Sequence, residues 1–350
     1  MKIFYHSADN DGRASASIIY GEYGIMAMMT ENDFIGYDYN KPYELPEFKE
    51  GEPWYFVDIS LNPETYSIIE QAVKAGCKVV HIDHHRNFEF IDSKLNNEQK
   101  AIMDKVVKFY NVYESATLLS WIYVNIPQEY RLEPMTHKYE FEENYSHFSI
   151  DGMNWVRVPY GFRLVNDQDV RHDQFAETRA FTAGVIELGD TEKEVPDWFK
   201  RFRLKERGIH PTSKIWDLIQ NDNMRFVNEI ITIGTKLVEE DEAENAELRK
   251  TAFEVEMELN GEKYNVICIK TDKHGGRVIG DLINSHDAYC RYNFDEKIGK
   301  WFYTFYSRNE GKFLPCHLMC QHIDPNGGGH LHAAGCTSQD LYFKEPEAEA

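Results

Sequence analysis

The sequence lacks any uninterrupted hydrophobic stretch of the roughly 18 residues that a membrane-spanning helix needs. Its N-terminus also lacks the basic start and the small-residue cleavage site of a secretory signal peptide. These two absences predict a cytoplasmic protein that makes no contact with a membrane. With 42% hydrophobic and 14% aromatic residues in a length of 350, the composition excludes a disordered chain and is sufficient for two domains.

Cysteine is scarce, and the six residues are spread along the chain. This excludes a dense disulfide framework and favours reduced thiols. Cys316 and Cys320 lie near several histidines, a combination that zinc sites also use. Their spacing has no matching second pair, and Leu318, Met319 and Ile323 indicate instead a helix with one buried face.

Basic residues are outnumbered by acidic ones, which gives a formal net charge of −21. Proteins that track long nucleic acids expose basic surfaces, because the release of counterions from the nucleic acid favours binding. The charge therefore indicates either a small substrate or a basic groove that is confined to one part of the surface.

Four short apolar runs each end beside residues that can bind a metal ion. They are Lys2–Tyr5 before His6, Trp54–Val57 before Asp58, Val79–Ile82 before Asp83, and Phe162–Val165 before the segment 166–169. Such runs next to helical stretches predict buried parallel strands. Ligands of an open α/β sheet bind beyond the carboxyl ends of its strands. The sequence therefore predicts that carboxylates and imidazoles meet in one metal site.

The first of these segments contains His6, Asp9 and Asp11, and Gly12 allows the backbone to turn sharply. Carboxylates with an occasional imidazole suit Mn²⁺ or Mg²⁺ better than a thiol-seeking metal. The same residues could instead form a polar turn that caps the following helix. The recurrence of similar residues at the other three strand ends favours the metal site.

The second and third segments contribute one carboxylate and one acidic-histidine triplet. Asp58 could cap a helix, or it could bridge two cations about 3.5–4 Å apart, as single carboxylates do in two-metal sites. In the triplet of Asp83, His84 and His85, the carboxylate could orient a ligating histidine. His81 lies inside the predicted strand and is interpreted as a core residue.

The pattern of elements predicts an α/β fold with a parallel-sheet N-terminal domain and a smaller mixed-sheet C-terminal domain, joined by a helical linker. A helix that begins at Asn62-Pro63 and stops at Gly76 separates two strands, as a parallel sheet requires. From Thr251 onward apolar and charged residues alternate, and Asn260-Gly261 predicts a hairpin. We assign residues 1–200 to the first domain with an insertion at about 126–160, residues 201–250 to the linker, and residues 251–345 to the second domain.

These motifs resemble those of the DHH phosphoesterases. The resembling residues are His6-x-x-Asp9-x-Asp11-Gly12, Asp58, Asp83-His84-His85 and the Asp167/Asp169 segment. Near the C-terminus, Ser307-Arg308 and Gly327-Gly328-Gly329-His330-x-x-Ala333-Ala334-Gly335 are similar to the signature of the DHH-associated substrate domain. The resemblance covers nearly the whole chain.

The resemblance implies a role for each matched residue. The implied metal ligands are His6, Asp9, Asp11, Asp58, His84 and Asp167. Asp167 is preferred over Asp169 because it is nearer to the predicted strand end. The implied catalytic residues are His85, Asp83 and Arg308, and the implied substrate-binding residues are Gly327, Gly328, Gly329, His330 and Arg308.

The resemblance also implies an activity. We expect a Mn²⁺-dependent phosphodiesterase that holds two ions, with Mg²⁺ as the alternative metal, and that hydrolyses short single-stranded oligonucleotides or small nucleotides by activating a water molecule. The alternatives are a single-strand exonuclease of the RecJ type, a cyclic dinucleotide phosphodiesterase, or a nucleotide-binding module of the same fold that does not cleave. The sequence leaves the oligomeric state open, with a homodimer as one option.

Overall fold

The computed structural model describes most of the chain. The described residues are 1–24, 26–38, 43–85, 95–131, 138–152, 154–170, 172, 174–189, 210–211, 213–273, 278–296, 298–307, 315–325, 327–329 and 333–343. The chain divides into two compact units, Met1–Val238 and Glu239–Ala350. The finer boundaries expected from the sequence, including the linker at 201–250, stay predictions.

The first unit is built on a parallel sheet, which confirms the α/β prediction. Five described strands form it in the order β2-β1-β3-β4-β5. They are β1 (Lys2–His6), β2 (Phe34–Tyr37), β3 (Pro53–Val57), β4 (Lys78–Asp83) and β5 (Val107–Tyr110). Alternate residues enter two separate cores: Ile3 and Val57 pack on one face, whereas Phe4 and Phe56 pack on the other. Burial of both faces explains why the strands appear in the sequence as continuous apolar runs.

Helices surround this sheet. In chain order they are α1 (Asn10–Ile19), α2 (Pro63–Lys74), α3 (Asn97–Met103), α4 (Ala116–Asn125), α5 (Gln128–Arg131), α6 (Tyr160–Val170), α7 (Thr178–Gly189), α8 (Lys214–Gln220) and α9 (Met224–Arg249). Helix α2 begins as predicted, because the side chain of Asn62 accepts a hydrogen bond from the Thr65 amide at 2.9 Å. Within the helical linker expected at 201–250, α8 and α9 are separate helices, and Asp222 between them has a φ of 51°.

The prediction of a strand at Phe162–Val165 is wrong, because this segment lies inside helix α6. Gly161, Phe162, Leu164 and Val165 are all buried, so the run is apolar on several sides. A short apolar run of this kind fits a buried strand and a buried helix equally well. The spacing of Phe162 and Val165 is also the i, i+3 spacing of one helical face.

The expected insertion at about 126–160 contains a small antiparallel sheet. Its strands are β6 (Tyr139–Phe141), β7 (His147–Ile150) and β8 (Val156–Arg157), in that order across the sheet. Phe148 and Ile150 of β7 are buried in the same core as Ile3 and Val57. The segment is therefore packed against the body of the first unit.

The second unit contains a mixed sheet, as predicted. Six described strands form it in the order β13-β14-β12-β11-β10-β9. They are β9 (Phe253–Leu259), β10 (Glu262–Lys270), β11 (Ala288–Asp295), β12 (Lys300–Ser307), β13 (Gly328–Gly329) and β14 (Ala333–Ser338). The pair β10 and β11 is parallel, and the other pairs are antiparallel.

Two local predictions in the second unit are confirmed. Asn260 and Gly261, with φ values of 53° and 81°, form the two-residue turn between β9 and β10. Both central residues of such a turn need a positive φ, which Asn and Gly adopt readily. Helix α10 (Cys316–Ile323) buries Cys316, Met319 and Cys320 on one face. Within the described residues of both units, the helices are too short or too polar to cross a bilayer.

Candidate metal centre

The carboxyl ends of three parallel strands bring predicted site residues together. His6 is the last residue of β1, Asp58 follows β3 directly, and Asp83 ends β4 just before His84. These strands are neighbours in the sheet, so their ends lie at the same edge. His6 Nδ1 is 3.4 Å from Asp58 Oδ2, and His84 Nε2 is 3.3 Å from Asp58 Oδ1. The convergence expected from the strand ends is therefore present.

Asp9 takes part in both of the arrangements considered for its segment. Its Oδ1 accepts a hydrogen bond from the amide of Gly12 at 3.0 Å and so caps helix α1. Its Oδ2 lies 2.9 Å from Nδ1 of His6. A Cβ atom on Gly12 would lie 2.1 Å from the carbonyl oxygen of His6, so only glycine fits there. This close approach brings the start of α1 against the end of β1.

Asp11 is held by the N-terminus of helix α4. Its two carboxylate oxygens accept hydrogen bonds from the amides of Ala116 and Thr117, each at 2.8 Å. These amides have no partner inside the helix, and the helix dipole also favours a negative charge at this end. Ser115 caps the same helix. Asp11 is 2% exposed, so the helix end replaces the water that a carboxylate would otherwise bind.

His84 lies among three carboxylates. Its Nε2 is 3.2 Å from Asp169 Oδ2, 3.3 Å from Asp58 Oδ1 and 3.7 Å from Asp11 Oδ2. One imidazole N–H can satisfy only one of these groups. Asp58 Oδ2 and Asp169 Oδ2 are buried, and each lies beside a histidine nitrogen, of His6 at 3.4 Å and of His84 at 3.2 Å, without a well-formed hydrogen bond among the described residues. A cation placed among these atoms would satisfy all of them.

Asp58 has a backbone conformation that is rare for a residue with a side chain, with a φ of 57°. The turn is held on both sides of this residue. The amide of Asp58 donates to the carbonyl of Ile82 at 3.0 Å, and Nε2 of His81 lies 2.8 Å from the carbonyl of Ile59. Burial lowers the pKa of His81, so the imidazole is neutral and donates this hydrogen bond. Asp58 does not cap helix α2, because Asn62 performs that role.

His85 is oriented by its neighbours. Its Nδ1 lies 2.7 Å from Asp83 Oδ1, and its backbone carbonyl accepts a hydrogen bond from the Tyr110 hydroxyl. Burial lowers the pKa of His85, but the contact with Asp83 outweighs it and raises the pKa above its usual value. Asp83 is thus placed to keep Nδ1 protonated and to leave Nε2 for a ligand.

The structure brings Asp169, and not the preferred Asp167, next to His84. Asp167 is 2% exposed, and its carboxylate accepts hydrogen bonds from the amides of Gln174 and Phe175 and from the hydroxyl of Thr178. These bonds fix the start of α7. Asp169, two positions later on helix α6, points to a different side and lies beside His84. The preference for Asp167 depended on the strand assignment, and distance from a strand end has no meaning on a helix.

The residues predicted to bind substrate in the second unit are only partly described. Gly328 and Gly329 form strand β13, which pairs with β14 at the edge of the sheet. A Cβ atom on Gly327 would lie 2.7 Å from the carbonyl oxygen of Cys320, so packing accounts for this glycine. Arg308 and His330 lie outside the described residues. The substrate-binding role of this segment stays a prediction.

Protonation in the absence of metal follows from the crowding of carboxylates. Burial, together with the charges of Asp169 and Asp58, raises the pKa of Asp11 well above its usual value. Burial also raises the pKa of Asp169, to about 6, although His84 opposes the shift. Burial lowers the pKa of His84, but Asp58, Asp11 and Asp169 outweigh it and raise the value to about 10. The metal-free site therefore uses protons to offset negative charge.

The side chains fit a divalent metal ion. Three groups of donors have ligand atoms within 4.8 Å of one another. They are His6 with Asp9 and Asp58, Asp58 with His84 and His85, and Asp11 with His84 and Asp169. The buried oxygens of Asp58 and Asp169, which lack a well-formed hydrogen bond among the described residues, give a further reason to expect a cation. Oxygen-rich donors with imidazole suit hard or borderline divalent ions. Asp58 belongs to two groups, as a bridging ligand would.

Sequence reasoning missed the residues that support the centre from α4 and α6. Asn166 accepts a hydrogen bond from the Ser115 amide at 2.7 Å and donates one to Glu114 Oε2 at 3.2 Å. It therefore fixes the start of α4, whose next amides bind Asp11. A serine directly before the apolar run at 116–124 is an N-cap signal. That signal predicts the helix start, but it does not reveal the partner of its amides.

Glu114 gives a prediction about the dependence of stability on pH. Burial raises its pKa to about 7 from 4.5, although hydrogen bonds from Asn166 and Tyr145 oppose the shift. The folded protein thus keeps a proton between these pH values that the unfolded chain releases, so the free energy of unfolding falls as pH rises through this window. Glu114→Gln should reduce this slope, to which Asp11 and Asp169 also contribute in metal-free protein, and should increase the free energy of unfolding at pH 8 by about 1–3 kcal/mol.

Urea denaturation of metal-free protein between pH 4 and pH 8 measures this effect. Glu129→Gln is the matched control, because Glu129 is exposed on helix α5. An unchanged slope in the Glu114→Gln variant would contradict the assignment of the raised pKa to this group.

Comparisons with known proteins give no assignment to a family. The sequence matches no protein-family model and no curated protein. Among solved structures, it is similar to a pGpG-specific phosphodiesterase, PggH from Vibrio cholerae, with a TM-score of 0.43 and 11% identity over 96% of this chain and 93% of that one. It is also similar to an exopolyphosphatase-related protein from Bacteroides fragilis, with a TM-score of 0.35 and 13% identity over 98% of this chain and 86% of that one. At TM-scores and identities this low, neither likeness establishes a family or an activity for this chain.

Proposed function

We propose that the protein is a divalent-metal-dependent phosphodiesterase of the DHH type that hydrolyses short oligonucleotides or small nucleotides, with Mn²⁺ as its metal. The observation that carries the proposal is the crowding of three carboxylates around Nε2 of His84, which lies 3.2 Å from Asp169, 3.3 Å from Asp58 and 3.7 Å from Asp11. One imidazole N–H can satisfy only one of these carboxylates. A divalent cation bound among them would contact all three.

The side chains divide between two ion positions. His6, Asp9 and Asp58 would hold one ion, and Asp11, His84 and Asp169 would hold the other. Asp58 and His84 are 3.3 Å apart, so they would link the two positions. Divalent ions bound there supply positive charge to the phosphate and lower the pKa of a water molecule. The N-terminus of α4 fixes Asp11, and the contacts around Asp58 fix its turn, so the ligands are oriented before any ion binds.

His85 is suited to act on the phosphate itself. Because Asp83 holds Nδ1 and raises the pKa of the imidazole, the protonated ring can donate from Nε2 to a phosphate oxygen. The hydrogen bond from such a donor becomes stronger as negative charge develops on that oxygen in the transition state. We propose Asp83 as the residue that orients His85, and His85 as the catalytic residue.

The charge of the chain supports a small substrate. A net charge of −21 disfavours binding of long nucleic acids, because few phosphates could exchange their counterions for basic side chains. A processive exonuclease is therefore the second candidate, and a cyclic dinucleotide phosphodiesterase falls within the small-nucleotide proposal. A binding module of the same fold without turnover is the third candidate, and the hydrolysis assay separates it from an enzyme.

Hydrolysis of a panel of substrates tests the proposal. Short RNA and DNA oligonucleotides, cyclic dinucleotides, long single-stranded DNA, inorganic pyrophosphate and bis(p-nitrophenyl) phosphate are compared in Mn²⁺, in Mg²⁺ and in EDTA. We expect turnover of the diesters in Mn²⁺, faster on short than on long strands, and none in EDTA. Hydrolysis of pyrophosphate alone, or turnover that survives EDTA, would overturn the proposal.

A further inference from the structure

A cavity of about 320 Å³ adjoins the candidate metal centre inside the first unit. Three helices form it. The first turn of α1 contributes Asn10 and Arg13, helix α6 contributes Gln168, and helix α7 contributes Thr182 and Ile186. Thr182 and Ile186 are four residues apart and so share one helical face. The volume is at the lower end of the range of about 300–1,000 Å³ that small-molecule sites occupy.

The cavity and the metal centre share a wall. Asp9, Asp11 and Asp169 line the cavity and also belong to the groups that could hold metal ions. A phosphate bound at the centre would therefore have its substituent in this cavity. The chemistry of the remaining lining residues indicates what that substituent is.

Part of the lining is apolar although it lies beside a cluster of charges. Ala8, Val165 and Ile186 contribute this part, and the side chain of Ile186 is 59% exposed. Inorganic phosphate, pyrophosphate and polyphosphate have no apolar surface to place there. The ring of a base and the carbon atoms of a sugar do, and covering Ile186 would remove apolar area from water.

The polar part of the lining carries amides. Asn10 and Gln168 each offer a carbonyl acceptor and an amide donor, the combination that matches the edge of a nucleobase. Thr182 Oγ1 donates to the carbonyl of Thr178 at 3.0 Å, so its single hydrogen is used inside the helix. Arg13 is the one cation among the described residues of the lining, and it offsets the carboxylates beside it.

We propose that this cavity binds the nucleoside attached to the phosphate at the metal centre, and that Ile186 and Gln168 determine the preference for nucleotides over inorganic phosphates. The assignment of the reaction rests on the function proposed above, whereas binding of the nucleoside does not require turnover. The base and sugar lie against Ile186, and the amide of Gln168 bonds to their polar atoms. An organic phosphate ester is thus the substrate class, and pyrophosphate and polyphosphate are excluded.

Calorimetry on the Mn²⁺-loaded protein tests this proposal. The probes are 5′-AMP, 5′-GMP, 5′-CMP, 5′-UMP and inorganic phosphate, none of which contains a diester bond. We expect at least one nucleotide to bind about 10-fold more tightly than phosphate. Ile186→Ala and Gln168→Leu should each weaken the binding of that nucleotide about 5-fold and leave the affinity for phosphate unchanged. Ile298→Ala is the matched control, because Ile298 is also 59% exposed and lies in the other unit.

The proposal is overturned if no nucleotide binds more tightly than phosphate. It is also overturned if both substitutions leave nucleotide affinity unchanged, or if they weaken the binding of phosphate to the same degree. Turnover of bis(p-nitrophenyl) phosphate by the unaltered protein in Mn²⁺ reports separately on the proposed function. Nucleotide-selective binding without this turnover would support nucleoside binding in the cavity and contradict the proposed phosphodiesterase activity.

Discussion

Replacing Asp58 with Asn is expected to lower phosphodiester turnover in Mn²⁺ by about 10³-fold or more, equivalent to about 4 kcal/mol of transition-state stabilisation. Asp58 lies within reach of both His6 and His84 and belongs to two of the three groups that could hold a metal ion. The amide of Asn has one oxygen and no negative charge. The substitution is therefore expected to weaken both ion positions at once.

The same substitution should leave the fold intact. Asp58 has a φ of 57°, and Asn is one of the few residues with a side chain that adopts this conformation readily. The hydrogen bond from the amide of residue 58 to Ile82 involves only the backbone. The bond between His81 Nε2 and the carbonyl of Ile59 does not involve the side chain of residue 58 either. Loss of turnover would thus reflect the loss of a ligand.

Asp151→Asn is the matched control for this experiment. Asp151 also has a positive φ, 48°, but it is exposed in the turn after β7 and belongs to none of the donor groups. Kinetics in Mn²⁺, the number of ions bound in calorimetry, and the midpoint of thermal unfolding are compared for both variants. Turnover in the Asp58→Asn variant within about 10-fold of the unaltered protein would remove Asp58 from the catalytic site.

The part of the site that the sequence predicted depends on one regularity of parallel sheets. Because the carboxyl ends of adjacent strands meet at one edge, His6, Asp58 and His84 could be brought together without any knowledge of the helices. The apolar runs of β1, β3 and β4 are distinct enough to identify as strands, since both of their faces are buried. The alternating pattern around Asn260-Gly261 predicted the hairpin of the second unit for a similarly local reason.

The part that could not be predicted depends on contacts between distant segments. The amides of Ala116 and Thr117 bind Asp11 across more than a hundred residues, and no local pattern shows which carboxylate a helix N-terminus will face. The run at Phe162–Val165 was ambiguous between strand and helix, because burial on several sides hides the period of either. That ambiguity decided which aspartate of the fourth segment was preferred.

Replacing each of the two aspartates of helix α6 with Asn is expected to change a different property, metal binding at Asp169 and the stability of the fold at Asp167. Asp169→Asn should weaken Mn²⁺ binding and lower turnover, each by about 100-fold. In metal-free protein at pH 8 it should not reduce the free energy of unfolding. Burial raises the pKa of Asp169 to about 6, so ionisation of this carboxylate destabilises the folded state as pH rises from about 4 through 6. Asn removes that charge.

Asp167→Asn should instead reduce the free energy of unfolding by about 1–3 kcal/mol and leave the turnover of the folded protein within about 3-fold. The carboxylate of Asp167 accepts hydrogen bonds from the amides of Gln174 and Phe175 and from the Thr178 hydroxyl. Asn retains one acceptor oxygen and turns an NH₂ group toward donors. The lost bonds join α6 to the start of α7, which supports the fold of the first unit.

Urea denaturation in EDTA at pH 8, Mn²⁺ titration by calorimetry, and turnover at saturating Mn²⁺ are measured on both variants. Each variant serves as the control for the other, because both change an aspartate of one helix to the same residue. If Asp167→Asn lost the metal while Asp169→Asn kept it, the assignment of Asp169 to the centre would be wrong, and the original preference based on sequence order would be restored. We expect a lower free energy of unfolding from the substitution at 167 and weaker Mn²⁺ binding from the substitution at 169. This result would distinguish a carboxylate that stabilises the fold from a metal ligand two residues away.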